Sequence, residues 1–283
     1  MTSLKCWCGN TDLASFSDDY MRCPRCETLI TTHSAAQPHP RVKDDQTDFY
    51  GVNYWFKHQE QDLGFANIRT RARADLTERC LHWLRILLRY KLPPAKTLEL
   101  GCAHGGFVAM LGTVGFQAAG LELSPAIVEF ARETFDVPML LGPIEEQSIE
   151  PASLDVISMM DVMEHLPDPE GTLAACARLL KPDGVLIVQT PRVPVGRTYK
   201  EMLASNDDFL EQFKWEEHLY LFSEQSAAEI FRRVGLNHVA REPAMFARYD
   251  MFLFASRHPL PVQSDDQVEQ SLLQSPGGRI ALS

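Results

Sequence analysis

Two acids and a group of glycines are the residues in this sequence whose types and spacing most clearly suggest ligand chemistry. Glu99 lies in the short apolar run TLEL, which stops at Gly101, and further glycines follow at Gly105 and Gly106. Glycines in a turn between a strand and a helix let the backbone approach a ligand closely, although an ordinary turn is the alternative. The spacing differs from the G-x-G-x-x-G of dinucleotide sites, and a carboxylate here would repel a diphosphate. The pattern therefore favours a cationic ligand, such as the sulfonium of S-adenosylmethionine (SAM).

A second acid, Glu122, lies at the end of the next apolar segment, GFQAAGLEL. It comes about 20 residues after the glycine turn, where an acid that binds ribose is found in nucleotide-binding folds. A carboxylate there can accept hydrogen bonds from both ribose hydroxyls. A solvated Glu at a strand end is the alternative. Together with Glu99, this acid predicts a site for a nucleoside that carries a positive charge.

Four cysteines near the N-terminus form a separate candidate site. Cys6 and Cys8 are followed, after 14 residues, by Cys23 and Cys26, so the pattern is C-x-C and then C-x-x-C. Two such turns can bring four thiolates together around a tetrahedral Zn²⁺, whereas unrelated free thiols are the alternative. The spacing predicts a structural zinc ribbon. Three other cysteines lie in apolar contexts and are expected to be small core residues: Cys80, Cys102 and Cys176.

The elements that must position these residues alternate between apolar strands and amphipathic helices. This order predicts a parallel sheet with right-handed crossovers, closed by an antiparallel final strand in RYDMFLFAS. A helix start is predicted at Asp168, Pro169 and Glu170, because these residue types are preferred there. The fold class is therefore α/β: a Rossmann-like, seven-stranded, mostly parallel sheet with helices on both faces, plus a small N-terminal zinc ribbon. Strands are predicted near 97–100, 117–122, 138–141, 154–160, 184–190, 236–242 and 249–256.

Several segments in combination make the chain resemble the class I SAM-dependent methyltransferases, from about Cys6 to Phe254. The resemblance is closer to the branch that carries an N-terminal zinc ribbon and is related to sugar and small-molecule methyltransferases. The segments are LELGCAHGGF, GLELSPAIVEFARE, LDVISMMDVMEHLPDP, LLKPDGVLIVQTP and EEHLYLFS. The resemblance implies SAM as cofactor and a one-carbon transferase activity.

The chain departs from this family at two positions. Ala103 stands where the family has glycine, which costs about 1 kcal/mol if its backbone is left-handed. Pro143 stands where many relatives have an acid that binds the adenine amino group, so adenine contacts are expected from Ile144, with Glu145 less certain. The residues expected at the cofactor, from the strand ends and the resemblance, are Glu99, Gly101, Cys102, Ala103, Gly105, Phe107, Glu122, Leu123, Ile144, Met160 and Asp161.

The candidates for proton removal from an acceptor are His218, Glu217 and His165. His218 lies in KWEEHLYLFS, after an insertion that follows the fifth strand, and histidine titrates near neutral pH. Bracing of the loop is an equal alternative for His218, and Glu217 is the reserve base. His165 matches a Glu-His pair common in the resembled branch, where it looks more structural than catalytic.

The sequence also suggests an order of domains. Aromatic residues at 49–56 precede the main domain and either cap the cofactor or pack between domains. The expected organisation is a zinc ribbon at 1–34, a linker and helical cap at 35–95, a methyltransferase domain at 96–257 with a lid insertion at 192–220, and a C-terminal tail at 258–283.

Composition limits the partners and the compartment. The 283 residues include 27 basic and 38 acidic side chains, and the net charge of −11 disfavours a nucleic-acid substrate. No apolar run is long enough to span a membrane and no secretory signal is evident, so we expect a cytoplasmic protein. The expected partner is a small-molecule substrate, with no membrane or nucleic acid, and the oligomeric state stays open.

Three functions are compatible with these observations. The first is methyl transfer to a small hydroxylated metabolite, most plausibly a sugar, sugar nucleotide or glycan end. The second is an aromatic or quinone-type O-methyltransferase, which the EHLPDP segment also resembles. The third is a non-catalytic binding protein whose ribbon recruits a partner. Fold does not fix the acceptor atom, which can be O, N or C.

Overall fold

The structure is a computed structural model that describes residues 4–33, 42–274 and 277–278. Part of the expected linker, residues 35–41, therefore lies outside the described residues. Contacts divide the chain into two compact units. The ribbon unit comprises Met1–Gln37, Met160–Ala177 and Ile187–Arg257, and the turn unit comprises Pro38–Met159, Arg178–Leu186 and His258–Ser283.

The main sheet has seven strands in the order β10-β11-β8-β7-β4-β5-β6. Strand β4 pairs in parallel with β5 and β7, β5 pairs in parallel with β6, and β10 pairs antiparallel with β11. This arrangement confirms the predicted Rossmann-like fold and its antiparallel final strand. The strands are β4 Lys96–Leu100, β5 Gln117–Glu122, β6 Met139–Leu141, β7 Leu154–Met160, β8 Leu180–Pro191, β10 His238–Glu242 and β11 Asp250–Ser256.

Strand β8 begins four residues before the expected position. Directly before this strand, the carbonyls of Arg178 and Leu179 accept hydrogen bonds from the amides of Ala152 and Ser153. Strand β7 is buried along its whole length, which explains its continuous apolar sequence.

Nine α-helices lie within the described residues. Asp168 caps α6 by accepting from the amide of Gly171 at 3.0 Å, and Ser124 caps α5 through the amide of Ile127 at 3.4 Å. The segment expected to be a tail, 258–283, contains α9 with Leu272 buried. The helices are α1 Gln59–Gln61, α2 Ile68–Asp75, α3 Leu81–Leu88, α4 Gly106–Thr113, α5 Pro125–Phe135, α6 Pro169–Leu179, α7 Tyr199–Ser205, α8 Glu224–Arg233 and α9 Asp265–Gln274. None of these helices combines the length and the apolar character needed to cross a membrane.

A second, four-stranded antiparallel sheet lies in the ribbon unit. Strands β1 Ala14–Ser15, β2 Tyr20–Arg22 and β3 Leu29–Thr31 come from the N-terminal segment. The fourth strand, β9 Tyr220–Leu221, follows the lid insertion and pairs with β3. The segment that was expected to be a separate ribbon therefore shares a sheet with the residues directly after His218.

Candidate functional site

The two predicted acids lie side by side in the turn unit. Glu99 in β4 is opposite Gly120 of the parallel strand β5, which ends at Glu122, and both acids are buried. Burial, and then the charge of Glu122, raises the pKa of Glu99 well above its usual range. Burial also raises the pKa of Glu122, although three backbone amides oppose the rise. Two neighbouring buried carboxylates are costly without a partner of opposite charge.

The surroundings of Glu99 indicate whether a cationic cofactor fits beside the glycine turn. Its Oε2 is buried and, among the described residues, has no hydrogen-bond partner. An unsatisfied buried acceptor of this kind is uncommon and calls for a donor. Beside it, Gly101 is exposed at the turn. The residues present therefore fit the ammonium or sulfonium side of SAM.

The glycine turn is shaped by left-handed backbone. Gly101 and Gly105 have φ of +62° and +79°, and Ala103 has φ of +47°. Ala103 is therefore in the conformation that costs about 1 kcal/mol or more for a residue with a side chain. Its amide donates to Glu122 Oε2 at 3.2 Å, while the amide of Leu123 donates to Oε1 at 2.7 Å. Glu122 thus holds the turn, and its predicted contact with a ribose stays a prediction.

A histidine inside the turn and an acid from α2 were not foreseen. His104 Nδ1 accepts from the amide of Gly106 at 3.1 Å, so its Nε2–H donates to Asp75 Oδ2 at 3.0 Å. Burial alone would raise the pKa of Asp75, but the hydrogen bond from His104 and the charge of Arg79 outweigh it and lower that pKa. Only the tertiary fold brings Asp75 to His104, because α3 and β4 lie between them in the chain.

Asp45 is a second unforeseen contact in the turn unit. Its carboxylate accepts from Ser124 Oγ at 2.8 Å and from the amide of Ala126 at 3.1 Å. It therefore occupies the N-terminus of α5, directly after Glu122, where a negative charge is favourable. No sequence motif surrounds Asp45 that could have identified it.

Other predicted cofactor residues contribute packing more than polar contacts. The Cys102 side chain lies among Val128 and Met139, and Phe107 packs edge-on against Trp83 with ring centroids 5.5 Å apart. Their side chains are therefore core, and only their backbone can face a ligand. Ile144 is buried in a 3₁₀ turn, Ile144–Glu146, shortly after β6.

Met160 and Asp161 lie at the end of β7 in the ribbon unit. Asp161 has φ of +58°, a strained conformation that is often found at functional sites. Its amide donates to the carbonyl of Gln189 at 3.0 Å, and Gln189 Nε2 donates to Asp161 Oδ1 at 3.1 Å. These bonds hold the strained residue in place.

The candidate bases are brought together in the ribbon unit. The rings of His165 and His218 lie edge to face, 4.9 Å apart, next to the buried acid Glu164. His165 Nδ1 donates to the carbonyl of Glu217 at 3.0 Å, and His218 Nδ1 donates to the carbonyl of Gln212 at 2.8 Å. Since a carbonyl only accepts, each neutral ring carries its proton on Nδ1 and its lone pair on Nε2.

Burial determines the charge state of this cluster. It lowers the pKa of His165 and of His218, and the neighbouring imidazole lowers that of His218 further. It raises the pKa of Glu164 well above its usual range, as does the charge of Asp161. Glu164 Oε2 accepts from Thr190 Oγ1 at 2.9 Å. Both imidazoles are therefore neutral near pH 7, with the lone pair on Nε2.

The same cluster has the donor atoms of a cation site. The ligand atoms of Glu164, His165 and His218 lie within 4.8 Å of one another. Two imidazoles held by backbone carbonyls and one carboxylate are a ligand set that a divalent cation can use. Glu164 was not among the predicted residues. The predicted reserve base, Glu217, holds His165 through its backbone carbonyl.

The four ribbon cysteines form a closed, buried cluster. Cys6 Sγ lies 3.5 Å from Cys26 Sγ, and Cys8 Sγ lies 3.6 Å from Cys23 Sγ. Four sulfurs placed 2.3 Å from one zinc ion are about 3.8 Å apart, so these distances suit a tetrahedral site. The sulfurs could therefore hold Zn²⁺ without further ligands.

The aromatic residues of the insertion do not form an open lid. Phe213 packs on Phe16 and Tyr20 of the ribbon, with centroids 5.9 and 5.3 Å apart, and Tyr199 packs on Phe16 at 6.0 Å. Phe209 is fully buried in the same cluster. Their aromatic surface is used to hold the insertion against the ribbon.

Comparisons with known proteins are consistent with this geometry. Curated relatives include ubiquinone biosynthesis O-methyltransferases from Xanthomonas campestris pv. campestris (strain B100), 33% identical over 129 residues, covering 41% of this chain and 54% of the relative. The same enzyme from Xanthomonas euvesicatoria pv. vesicatoria (strain 85-10) is 32% identical over 146 residues, covering 47% and 61%. The chain thus matches only about half to three fifths of the length of these relatives.

Solved structures share the fold. A complex between the Haloferax volcanii Trm112 methyltransferase activator and a methyltransferase contains a chain with a TM-score of 0.50 and 23% identity, covering 67% of this chain and 95% of that one. Haemonchus contortus phosphoethanolamine N-methyltransferase 2, bound to phosphomonomethylethanolamine and S-adenosylhomocysteine, has a TM-score of 0.53 and 17% identity, covering 64% and 53%. The family model described as a methyltransferase domain matches residues 70–241, more than half of the chain. The chain therefore belongs to the class I SAM-dependent methyltransferases.

Proposed function

We propose that this methyltransferase transfers the methyl group to a hydroxyl oxygen of a small aromatic acceptor, a phenol or quinol. The observation that carries the proposal is the buried pair of neutral imidazoles, His165 and His218, whose Nε2 atoms can take a proton. Bound SAM would supply a methyl group on a positively charged sulfur. Glu99, Glu122 and the left-handed turn are the residues that would bind it.

The hydroxyl proton of the acceptor would pass to the imidazole pair, so that the acceptor oxygen could receive the methyl group. His165 has the more exposed ring and is the residue we expect to contact the acceptor. His218 lies behind it and is buried. Positioning of the acceptor oxygen supplies much of the acceleration, because the leaving group is neutral.

The lowered pKa of the imidazoles supports a phenolic acceptor. A weakly basic imidazole is better matched to a phenol, which loses its proton near pKa 10 as tyrosine does, than to an alcohol, which resembles water at about 16. General base catalysis is most effective when the proton transfer is not steeply uphill. The names of the curated relatives, ubiquinone biosynthesis O-methyltransferases, support the same acceptor class.

The proposal is tested by supplying the purified protein with SAM and a panel of catechols, hydroquinones, sugars and sugar nucleotides, and by measuring methylated products by mass spectrometry. We expect products from the phenols. Products from the sugars alone would favour the sugar acceptor predicted from the sequence. Binding of SAM with no product from either class would favour the non-catalytic function.

A matched pair of variants connects the product to the site. His218→Gln should abolish most turnover, whereas the same substitution at His238, which is exposed on β10, should leave turnover unchanged. Equal turnover in both variants would exclude His218 from the chemistry.

A further inference from the structure

We infer that the zinc ribbon helps to form the part of this enzyme that binds the methyl acceptor. Tyr20 is the positioning residue, because it holds the segment that carries His218. The inference rests on the proposed function, because it assigns the imidazole pair a role in turnover. It differs from a ribbon that only recruits a partner, since the ribbon then acts on the chemistry of its own chain.

Tyr20 makes the first direct link. Its side chain is fully buried, and its hydroxyl donates to the backbone carbonyl of His218 at 2.9 Å. Burial raises the pKa of Tyr20 well above its usual range, and the charges of Asp19 and Glu217 raise it further. The hydroxyl therefore keeps its proton and remains a donor near neutral pH.

Backbone hydrogen bonds continue this link on the other side of His218. The amide of Thr31 in β3 donates to the carbonyl of Leu219 at 3.1 Å, and the amide of Leu219 donates to the carbonyl of Glu164 at 2.8 Å. Ile30 of β3 is paired with Tyr220 of β9. One residue of the segment, Leu219, thus connects the ribbon to the turn that carries Glu164 and His165.

The same segment orients both imidazoles. The carbonyl of Glu217 fixes His165 through Nδ1, and the amide of His218 donates to the carbonyl of Lys214 at 2.7 Å. The ring of His218 is fixed by the carbonyl of Gln212. Movement of residues 217–219 would therefore displace the carbonyl that holds His165 Nδ1, and it would move the ring of His218 away from its own acceptor at Gln212.

The four cysteines determine where Tyr20 can lie. Cys23 follows β2, which contains Tyr20, and Cys26 precedes β3. A metal ion held by the four sulfurs would fix the turn that joins these two strands, which are three residues long and pair with each other. Loss of the metal would therefore release Tyr20 and β3 together.

The closing experiment follows the imidazoles directly and does not depend on turnover. The zinc-loaded full chain is prepared with ¹⁵N-labelled histidine rings, and the His218 resonance is assigned with His218→Gln. Tyr20→Phe is compared with Tyr220→Phe, which removes a hydroxyl that, among the described residues, makes no hydrogen bond to His218. We expect Tyr20→Phe to shift or broaden the His218 resonance and Tyr220→Phe to leave it unchanged.

In the methylation assay, Tyr20→Phe should lower kcat about fivefold to tenfold, since it leaves one buried carbonyl without its donor. The dissociation constant of SAM, measured by calorimetry, should stay within about twofold because the turn unit is untouched. Identical His218 resonances and equal kcat in the two variants would overturn the inference.

Chelation provides a second measurement if Tyr20→Phe does not fold. Removal of zinc from the unmodified chain should perturb the His218 resonance, and Cys26→Ser, which leaves the histidine cluster intact, should perturb it in the same way. A His218 resonance that is indifferent to zinc would also overturn the inference. If the proposed function fails, no acceptor is methylated. The His218 resonance then still reports whether the ribbon positions His218, so the two failures can be distinguished.

Discussion

Burial shifts the pKa values of acids in one region of the molecule and of imidazoles in another. The first region is the glycine turn with Glu99 and Glu122 in the turn unit. The second is the histidine cluster of the ribbon unit. In the first, two buried carboxyl groups have raised pKa values, and one oxygen of Glu99 has no donor within the part of the chain that the structure describes. In the second, two buried imidazoles have lowered pKa values and their Nδ1 atoms are satisfied by carbonyls. This difference suits the first region to a positively charged ligand, whereas the second presents neutral imidazoles with their lone pairs on Nε2.

The two regions also differ in how the chain builds them. Glu99, the glycine turn and Glu122 lie within one strand–turn–helix–strand unit. The histidine cluster combines the turn after β7, the end of the insertion and contacts from the N-terminal ribbon. Variants in the first region should therefore change SAM binding, and variants in the second region should change turnover.

The largest expected effect separates turnover from cofactor binding. His218→Gln and His165→Gln should each lower kcat about 100-fold, the lower range for loss of a general base, and the double variant should be little worse because the two rings act together. The SAM dissociation constant should not change. Steady-state kinetics and calorimetry check this, and a parallel loss of SAM binding would mean that the two regions are not separable.

The reciprocal variant is Glu99→Gln, which keeps the shape of the side chain and removes its charge. We expect the SAM dissociation constant to rise about 30-fold, which corresponds to about 2 kcal/mol. The free energy of unfolding without SAM should rise, because the repulsion between the two buried acids is removed. Calorimetry and urea unfolding measure the two quantities, and unchanged SAM affinity would contradict the role of Glu99.

The pH dependence of stability should have opposite signs for His218 and Glu99. His218 has a folded pKa below its ordinary value of 6.5, so the unfolded chain binds more protons, and this contribution is lost as pH falls below about 6.5. Glu99 has a folded pKa above 4.5, so the folded chain binds more protons, and stability decreases as pH rises above that value.

Urea unfolding between pH 5 and 8 measures these slopes, and each group can contribute up to about 1.4 kcal/mol per pH unit. His218→Gln should flatten the loss on the acidic side, while Glu99→Gln should flatten the decrease with rising pH. If both variants changed the slope in the same direction, the assigned charge states would be wrong.

The smallest expected effect tests the strain in the glycine turn. Ala103→Gly should raise the free energy of unfolding by less than about 1 kcal/mol, because relief of the left-handed conformation is partly offset by the greater freedom of glycine in the unfolded chain. SAM affinity should stay the same or improve slightly. Thermal unfolding measures the change, and a clear loss of stability would show that the alanine methyl group contributes packing.

Much of the fold was predictable because its signals are local. Strand ends at Leu100 and Glu122, the helix start at Asp168 and the cysteine spacing each depend on residues close together in the chain. Contacts between distant segments gave no such signal. The pairs Asp75–His104 and Asp45–Ser124 are separated by 29 and 79 residues, and no periodicity links them.

The sequence by itself determined the α/β alternation, the place of the glycine turn between two acids and the four-cysteine pattern, because hydrophobic periodicity and turn chemistry act over a few residues. Only the tertiary structure decided that β9 joins the ribbon sheet, that Tyr20 contacts the carbonyl of His218 and that the histidines are neutral. The physical reason is that burial shifts the pKa of a side chain, and the segments that pack around this side chain supply its hydrogen-bond partners. Those segments come together only when the whole core forms.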